Sequence, residues 1–457
     1  MRITNLNPDT DIGASAWFVE LDGHRLLLDA GTHPKREGRP SLPLYDAVKD
    51  HEVDAIAISH CHHDHVGSLP VALRRFPQAH VLMTELSYFL VERVLHNSVN
   101  VMTRQRDELG IREYPLYSHD EVDDIAPLFQ GFRYNRKIDW AAFHKTRSGF
   151  VSPTLEFRDA GHALGSTGML VSGRKETLFY TGDVCFHDQT ILKRARFEGV
   201  KADVLIMETT RGNREVPPGF SRESEIDRLR AAIQNALKRK GSVLIPTFAL
   251  GRTQEILALL ALLMGAGKLK PQPVYIGGLG RVFTEIYDLE SHRTHRQHPD
   301  LQLHEALNLV VLEKGQAEAM SLKGRLFVIT AGMITEKTAA HSLALRMMED
   351  ERHAIFLVGY SDPDTPGGRL RAAKPGERFL FSPSAGNVTR RCELQEFDLT
   401  AHANRGDLLD FVGQVEPRAV LLGHGEDDSR RWFEEQIRAR HPKIKIIQPQ
   451  PGKMVEV

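Results

Sequence analysis

The run Ser59-His60-Cys61-His62-His63-Asp64-His65-Val66-Gly67 sets four imidazoles and a carboxylate within six positions. It follows Val53-Asp54-Ala55-Ile56-Ala57-Ile58, an apolar, β-branched segment that reads as a buried strand, and Gly67 and Pro70 mark a break beyond it. Ligand-type side chains are therefore crowded onto one strand-to-loop corner. Imidazole nitrogen and carboxylate oxygen together suit Zn²⁺ or a comparable first-row divalent ion. The competing reading is a solvated loop that happens to be rich in histidine. His/Asp spacing this dense favours metal.

The chain has 457 residues, too long for one ordinary core, so two or three compact units are expected. With 41% hydrophobic and 26% charged residues it is globular rather than disordered. Its three cysteines, Cys61, Cys185 and Cys392, are scattered and odd in number, which argues against a disulfide framework and for a reducing compartment. The first residues carry no apolar leader, and no stretch approaches the ~20 apolar residues of a membrane span. A soluble, cytoplasmic protein without membrane association is expected. The net charge of −1 excludes a strongly basic nucleic-acid coat, so any polyanion must be held by a local patch.

Short apolar runs at Ser15–Glu20, Arg25–Asp29 and Val53–Ser59 read as strands of one sheet, and residues 85–145 read as mostly helical. Strand character returns at Thr154–Arg158, Gly168–Val171, Thr177–Thr181 and Val204–Met207. Near residue 211 a polar, proline-bearing link begins. Beyond it Ile226, Leu229, Ile233 and Leu237 recur at helical spacing, then Ser242–Pro246, helix 253–264 and Pro273–Ile276 follow in β-α-β order. Arg325–Ile329, helix 339–350 and Ala354–Val358 repeat that order, which implies a parallel sheet covered by helices. The expected division is residues 1–210, an inserted domain at 211–381, and a return to the first domain at 382–457.

More ligands stand at other strand ends. His162 lies in a glycine-flanked loop, Tyr180-Thr-Gly-Asp183 ends a strand with a carboxylate, and His424 closes the apolar run 419–422. Each is weak alone. Together with the first cluster they make seven candidate ligands, enough for two ions that share a bridging carboxylate.

The set His60-x-His62-x-Asp64-His65, His162, Asp183 and His424, in that order, resembles the metallo-β-lactamase superfamily. The segments from Ile206 to Gly212, Val243 to Glu255, Ile329 to Met333 and Leu399 to Asn404 are similar to the β-CASP subfamily of nucleases. That subfamily includes the cleavage-and-polyadenylation endonuclease, its bacterial and archaeal relatives, and RNase J. The resemblance implies an α/β fold, an αββα sandwich carrying an inserted parallel-sheet domain. It also implies two Zn²⁺ ions, with Mn²⁺ or Fe²⁺ as substitutes. His60, His62 and His162 would hold one ion, Asp64, His65 and His424 the other, and Asp183 would bridge them. His63 falls at a variable position, and Asp29 would steady the His60 loop. Glu208 and His402 would carry the first two motifs of the inserted type. His424 would be the third, where a histidine resembles the RNA-cleaving branch and Artemis-type DNA nucleases carry valine.

The chemistry such a site offers is hydrolysis. Two ions lower the pKa of a shared water towards ~7 and neutralise a phosphate oxygen. A leaving alkoxide then needs a proton, for which His402 is the best candidate, with Glu208 orienting it. Asp64, His402 and Glu208 are thus the expected catalytic set. Arg252, at a helix start, together with Arg369 and Arg390, are candidate phosphate contacts. Asn404, Gly277–Arg281 and Asp362–Gly368 depart from the subfamily's pattern, which bears on the substrate more than on hydrolysis.

The first reading is therefore a zinc phosphodiesterase that cleaves single-stranded RNA, as endonuclease or exonuclease, in RNA processing or degradation. Its site would lie in the cleft between the domains. A second reading keeps the metals and acts on DNA or a small ester. A third is a non-catalytic partner subunit, which the intact ligand set disfavours. The ending soon after His424 leaves no room for the extra C-terminal domain of RNase J types, and a homodimer is compatible with the resemblance.

Overall fold

The computed structural model describes residues 1–48, 53–139, 153–313 and 315–457. The chain divides into two compact units. One comprises Met1–Asp188, Arg194–Val216 and His402–Val457; the other comprises Gln189–Lys193 and Pro217–Ala401.

The first unit is built on two seven-stranded sheets. One contains Trp17–Leu21, His24–Leu28, Ala55–Ala57, His80–Thr84 and Phe129–Phe132, the last four running parallel. The other contains Thr154–Asp159, Thr167–Ser172, Thr177–Tyr180, Val204–Glu208 and Ala419–Gly423. Trp17, Val19, Leu26 and Leu28 of the first sheet pack with Leu155, Phe157, Met169 and Ile206 of the second, so the two sheets share one apolar core. On its other face the second sheet buries Phe179, Leu205 and Leu422 with Leu408, Phe411, Phe433 and Ile437 of two helices, Arg405–Val415 and Asp427–Arg440. The resulting αββα layering explains why Val204–Glu208 and Ala419–Gly423 are buried at every position, because both faces are covered.

The second unit holds six parallel strands, in the order Leu309–Val311, Val274–Gly277, Leu326–Ile329, Val243–Pro246, Ala354–Leu357 and Glu393–Glu396. Helix Arg222–Lys238 leads into this sheet, and Arg252–Gly265 and Ala339–Met348 are among the helices that connect its strands. The sequence boundary at 381/382 leaves Glu393–Glu396 outside this sheet, yet it pairs with Ala354–Leu357 over four positions. A short, half-polar edge strand, Glu-Leu-Gln-Glu, carries no apolar run that could mark it.

A second difference falls in the stretch read as helical. Helices Glu85–Leu109 and His119–Ile125 form there, but Phe129–Phe132 and Lys137–Asp139 are strands, and residues 140–145 lie outside the described residues. Among the described residues no helix is long and apolar enough to cross a membrane.

Candidate metal centre

The first unit brings its parallel strands to one edge. Glu208 pairs with Gly423 and Tyr180 with Ile206, so these strands end side by side and their loops carry Asp183, Glu208 and His424 together. Ala55–Ala57 of the other sheet ends just before His60. His62 caps a single helical turn, His63–Val66, which puts Asp64 and His65 on its first turn.

At this edge two groups of ligands form. His62 Nδ1 lies 3.0 Å from His60 Nε2 and 3.2 Å from His162 Nε2. Asp183 Oδ2 lies 3.7 Å from both His60 Nε2 and His162 Nε2. In the second group His424 Nε2 lies 3.2 Å from His65 Nε2 and 3.3 Å from Asp64 Oδ2. Asp183 Oδ1 faces this group, 3.5 Å from His65 Nε2 and 3.2 Å from His424 Nδ1. The seven residues read from sequence are thus brought together, and one carboxylate addresses both groups. His63 turns elsewhere, its ring nitrogens 2.6 Å from Thr32 Oγ1 and 2.7 Å from Ser98 Oγ.

These groups fit divalent metal. A ring nitrogen carries at most one proton, so the Nδ1 of His62 cannot make a hydrogen bond to both neighbouring imidazoles in their neutral forms. Ligand atoms bonded to one ion at ~2.1 Å stand about 3.4 Å apart in tetrahedral geometry, and the spacings of 3.0–3.7 Å in the first group bracket that value. Asp183 Oδ1 is buried and makes no hydrogen bond among the described residues, a costly arrangement that a cation relieves.

The electrostatics point the same way. Burial opposes a proton on His65, but Asp183, Asp64 and Asp29 outweigh it and push the imidazole up to about 10. Burial opposes a proton on His60 as well, and there the imidazoles of His65, His62, His162 and His424 add to it and hold the ring well below its ordinary value. Burial raises Asp64, yet His65 and His424 override it and keep the carboxyl well below the usual range. The site as a whole favours ionised carboxylates around a positive centre.

Supporting contacts fix the ligands. Asp29, fully buried, accepts from Ser59 N at 2.6 Å, Ser59 Oγ at 2.7 Å and Tyr180 OH at 2.6 Å. Its Oδ2 also lies 2.8 Å from His65 Nδ1, so it orients that ligand as well as the strand end before His60. Thr210 Oγ1 stands 3.1 Å from His424 Nδ1, a contact that sequence reasoning missed, since nothing marks one Thr of a Thr-Thr pair. Asp29 and His424 both adopt left-handed backbone, with φ 64° and 46°. Such conformations cost of order 1 kcal/mol each and gather at functional sites.

Beside the ligands, His402 Nδ1 lies 3.1 Å from Glu208 Oε2, and the His402 ring centroid is 4.6 Å from that of His162. Glu208 is buried and accepts from Val184 N at 2.6 Å. Burial opposes its charge, but His402, Thr210 and the Val184 N–H more than compensate and hold the carboxyl below its ordinary value.

The arginines read as phosphate contacts all belong to the second unit. Arg252 is buried, its guanidinium donating to Leu399 O and Gln189 Oε1. Arg390 donates to Ala373 O, and Arg369 is half-buried on helix Pro366–Ala372.

Residues 9–238 match the model of the metallo-beta-lactamase superfamily. The chain belongs to that superfamily. Within it, residues 253–370 match the Beta-Casp domain and residues 387–449 match the Zn-dependent metallo-hydrolase RNA specificity domain. Among superfamily relatives, a protein named probable RNase MJ4 from Methanocaldococcus jannaschii is 29% identical over 95% of this chain and 96% of its own length. RNase aCSPSF2 of Saccharolobus solfataricus is 27% identical over 98% of this chain and 83% of its own. Endoribonuclease YSH1 of Eremothecium gossypii is 26% identical over 93% of this chain, which spans only 55% of that relative. The chain thus spans about half the length of the fungal relatives it matches. A crystal structure of a protein of unknown function from Enterococcus faecalis V583 shares the fold, with TM-score 0.57, 13% identity and 99% of each chain covered.

Proposed function

We propose that this chain is a zinc-dependent ribonuclease that hydrolyses phosphodiester bonds of single-stranded RNA. One observation carries the reading: the two oxygens of Asp183 face separate His/Asp groups, with the His402–Glu208 pair alongside. The match to an RNA specificity domain and the printed names of the relatives support RNA as the substrate.

His60, His62 and His162 would hold one ion, Asp64, His65 and His424 the other, with Asp183 shared. When bound, the ions supply activation of water at neutral pH and neutralisation of phosphate charge. The protein's residues do the rest. Asp29 and Thr210 hold the imidazoles of His65 and His424 in position through the ring nitrogens they touch. Glu208 accepts from Nδ1–H of His402, which leaves Nε2 to hand a proton to the departing oxygen. Glu208 thereby fixes the orientation and tautomer of that imidazole.

To test this, labelled single-stranded RNA and DNA of the same sequence are incubated with metal-loaded protein and the product ends are mapped. RNA is expected to be cleaved, Asp64→Ala to abolish cleavage, and His402→Ala to slow it by about 10²–10⁴-fold. Retained cleavage in Asp64→Ala, or cleavage of DNA alone, overturns the reading.

A further inference from the structure

The first turn of helix Glu85–Leu109 is tied to both metal-bearing loops. Cys61, between two ligands, lies with Sγ 3.4 Å from Ser87 O. Gly165 O, in the loop after His162, accepts from Thr84 Oγ1 at 2.8 Å and from Ser87 Oγ at 3.1 Å. On the outer side of that turn Tyr88 and Phe89 are 45% and 37% exposed, their rings 5.8 Å apart and nearly perpendicular. Two adjacent large aromatics kept in water beside a site call for an explanation other than core packing.

A basic turn adjoins them. Strand Phe129–Phe132 pairs with His80–Thr84, setting Phe132 beside Thr84 at the helix start. Gly131 approaches so closely that a Cβ there would stand 3.0 Å from Glu85 Cα and 3.4 Å from Tyr88 Cβ. The chain continues Arg133-Tyr134-Asn135-Arg136-Lys137. Arg133 Nε lies 3.6 Å from Glu85 Oε2, and Tyr134 OH donates to Ser166 O at 3.0 Å, four residues beyond His162. Arg133, Arg136 and Lys137 are exposed, and neither Arg136 nor Lys137 forms an ion pair among the described residues.

We propose that Tyr88 and Phe89, with Arg133, Arg136 and Lys137, form the surface that receives single-stranded RNA beside the scissile bond. Unpaired bases stack on the two rings and backbone phosphates meet the cations. A duplex hides its base faces, so this surface selects single strands. In a chain with net charge −1, a local cationic turn bound to a metal loop meets the requirement for polyanion capture. The inference rests on the ribonuclease reading.

The test uses full-length, metal-loaded protein with two substrates, a labelled oligouridylate and bis(p-nitrophenyl) phosphate, a diester too small to span the surface. For Tyr88→Ala/Phe89→Ala the ratio of kcat/KM on RNA to that on the small diester falls about tenfold. For Arg136→Ser/Lys137→Ser, the slope of log(kcat/KM) on RNA against log salt loses about 1.4 in magnitude. All four side chains are exposed, so both variants are expected to fold. If wild type cleaves RNA while both variants keep a ratio within about twofold of it and the salt slope is unaltered, this surface is wrong and the ribonuclease reading stands. Wild type that hydrolyses the small diester but neither binds nor cleaves the oligouridylate overturns the ribonuclease reading, and the surface with it.

Discussion

Glu208 shows how one carboxylate is kept charged inside a protein. It is buried, yet the Val184 N–H at 2.6 Å and the His402 imidazole at 3.1 Å keep its carboxyl below the ordinary range. A depressed carboxyl contributes stability above its unfolded pKa and loses it as pH falls through the folded one, so this contribution is complete at neutral pH. Its catalytic effect is to hold the His402 ring in place. For Glu208→Gln, which weakens that hold, the rate on RNA at neutral pH should drop by roughly 10–100-fold while bound zinc stays at the wild-type level. Steady-state kinetics with RNA, alongside metal analysis, measure both. An unchanged kcat would show that Glu208 only supports the fold.

At the scale of elements, close backbone approach makes the ligand turn possible. Gly31 lies against His63–Val66 so tightly that a Cβ would stand 1.7 Å from Asp64 O and 2.8 Å from His65 N. Gly31→Ala is expected to cost about 3 kcal/mol and to displace Asp64 and His65, lowering both the denaturant midpoint and metal content. Such a contact is invisible in sequence, because Gly31 looks like any turn glycine until its neighbour is known. What sequence does show are the strands that end at the site. Val204–Met207 and the run 419–422 are unbroken apolar segments because both faces are buried, and each is followed by a ligand-type residue. His60 to His65 was legible by density, and the separate His162, Asp183 and His424 only by their shared place after strands. Thr210 and the clamp of Asp29 on His65 depend on distances that no spacing rule encodes. The strands Phe129–Phe132 and Glu393–Glu396 escaped notice for want of an apolar run, and so did the basic turn that Phe129–Phe132 leads into.

For the molecule as a whole, two compact units predict two unfolding transitions, only one of which contains the metal ligands. Metal binds the folded state and not the unfolded chain, so removing it takes away RT ln(1 + [L]/Kd), about 4 kcal/mol at a thousandfold excess over Kd. Calorimetry with a chelator should lower one transition by on the order of 10 °C and leave the other in place. Equal shifts in both would mean that the units do not unfold independently.

The claim on which the rest depends is that Asp183 joins two metal positions. Zinc counted by inductively coupled plasma mass spectrometry, on wild type and on Asp183→Ala purified side by side, tests it most directly. The expected result is about two zinc per wild-type chain, about one or fewer in the variant, and loss of RNA cleavage with the metal. One zinc in a fully active wild type, or two zinc retained in Asp183→Ala, would contradict it.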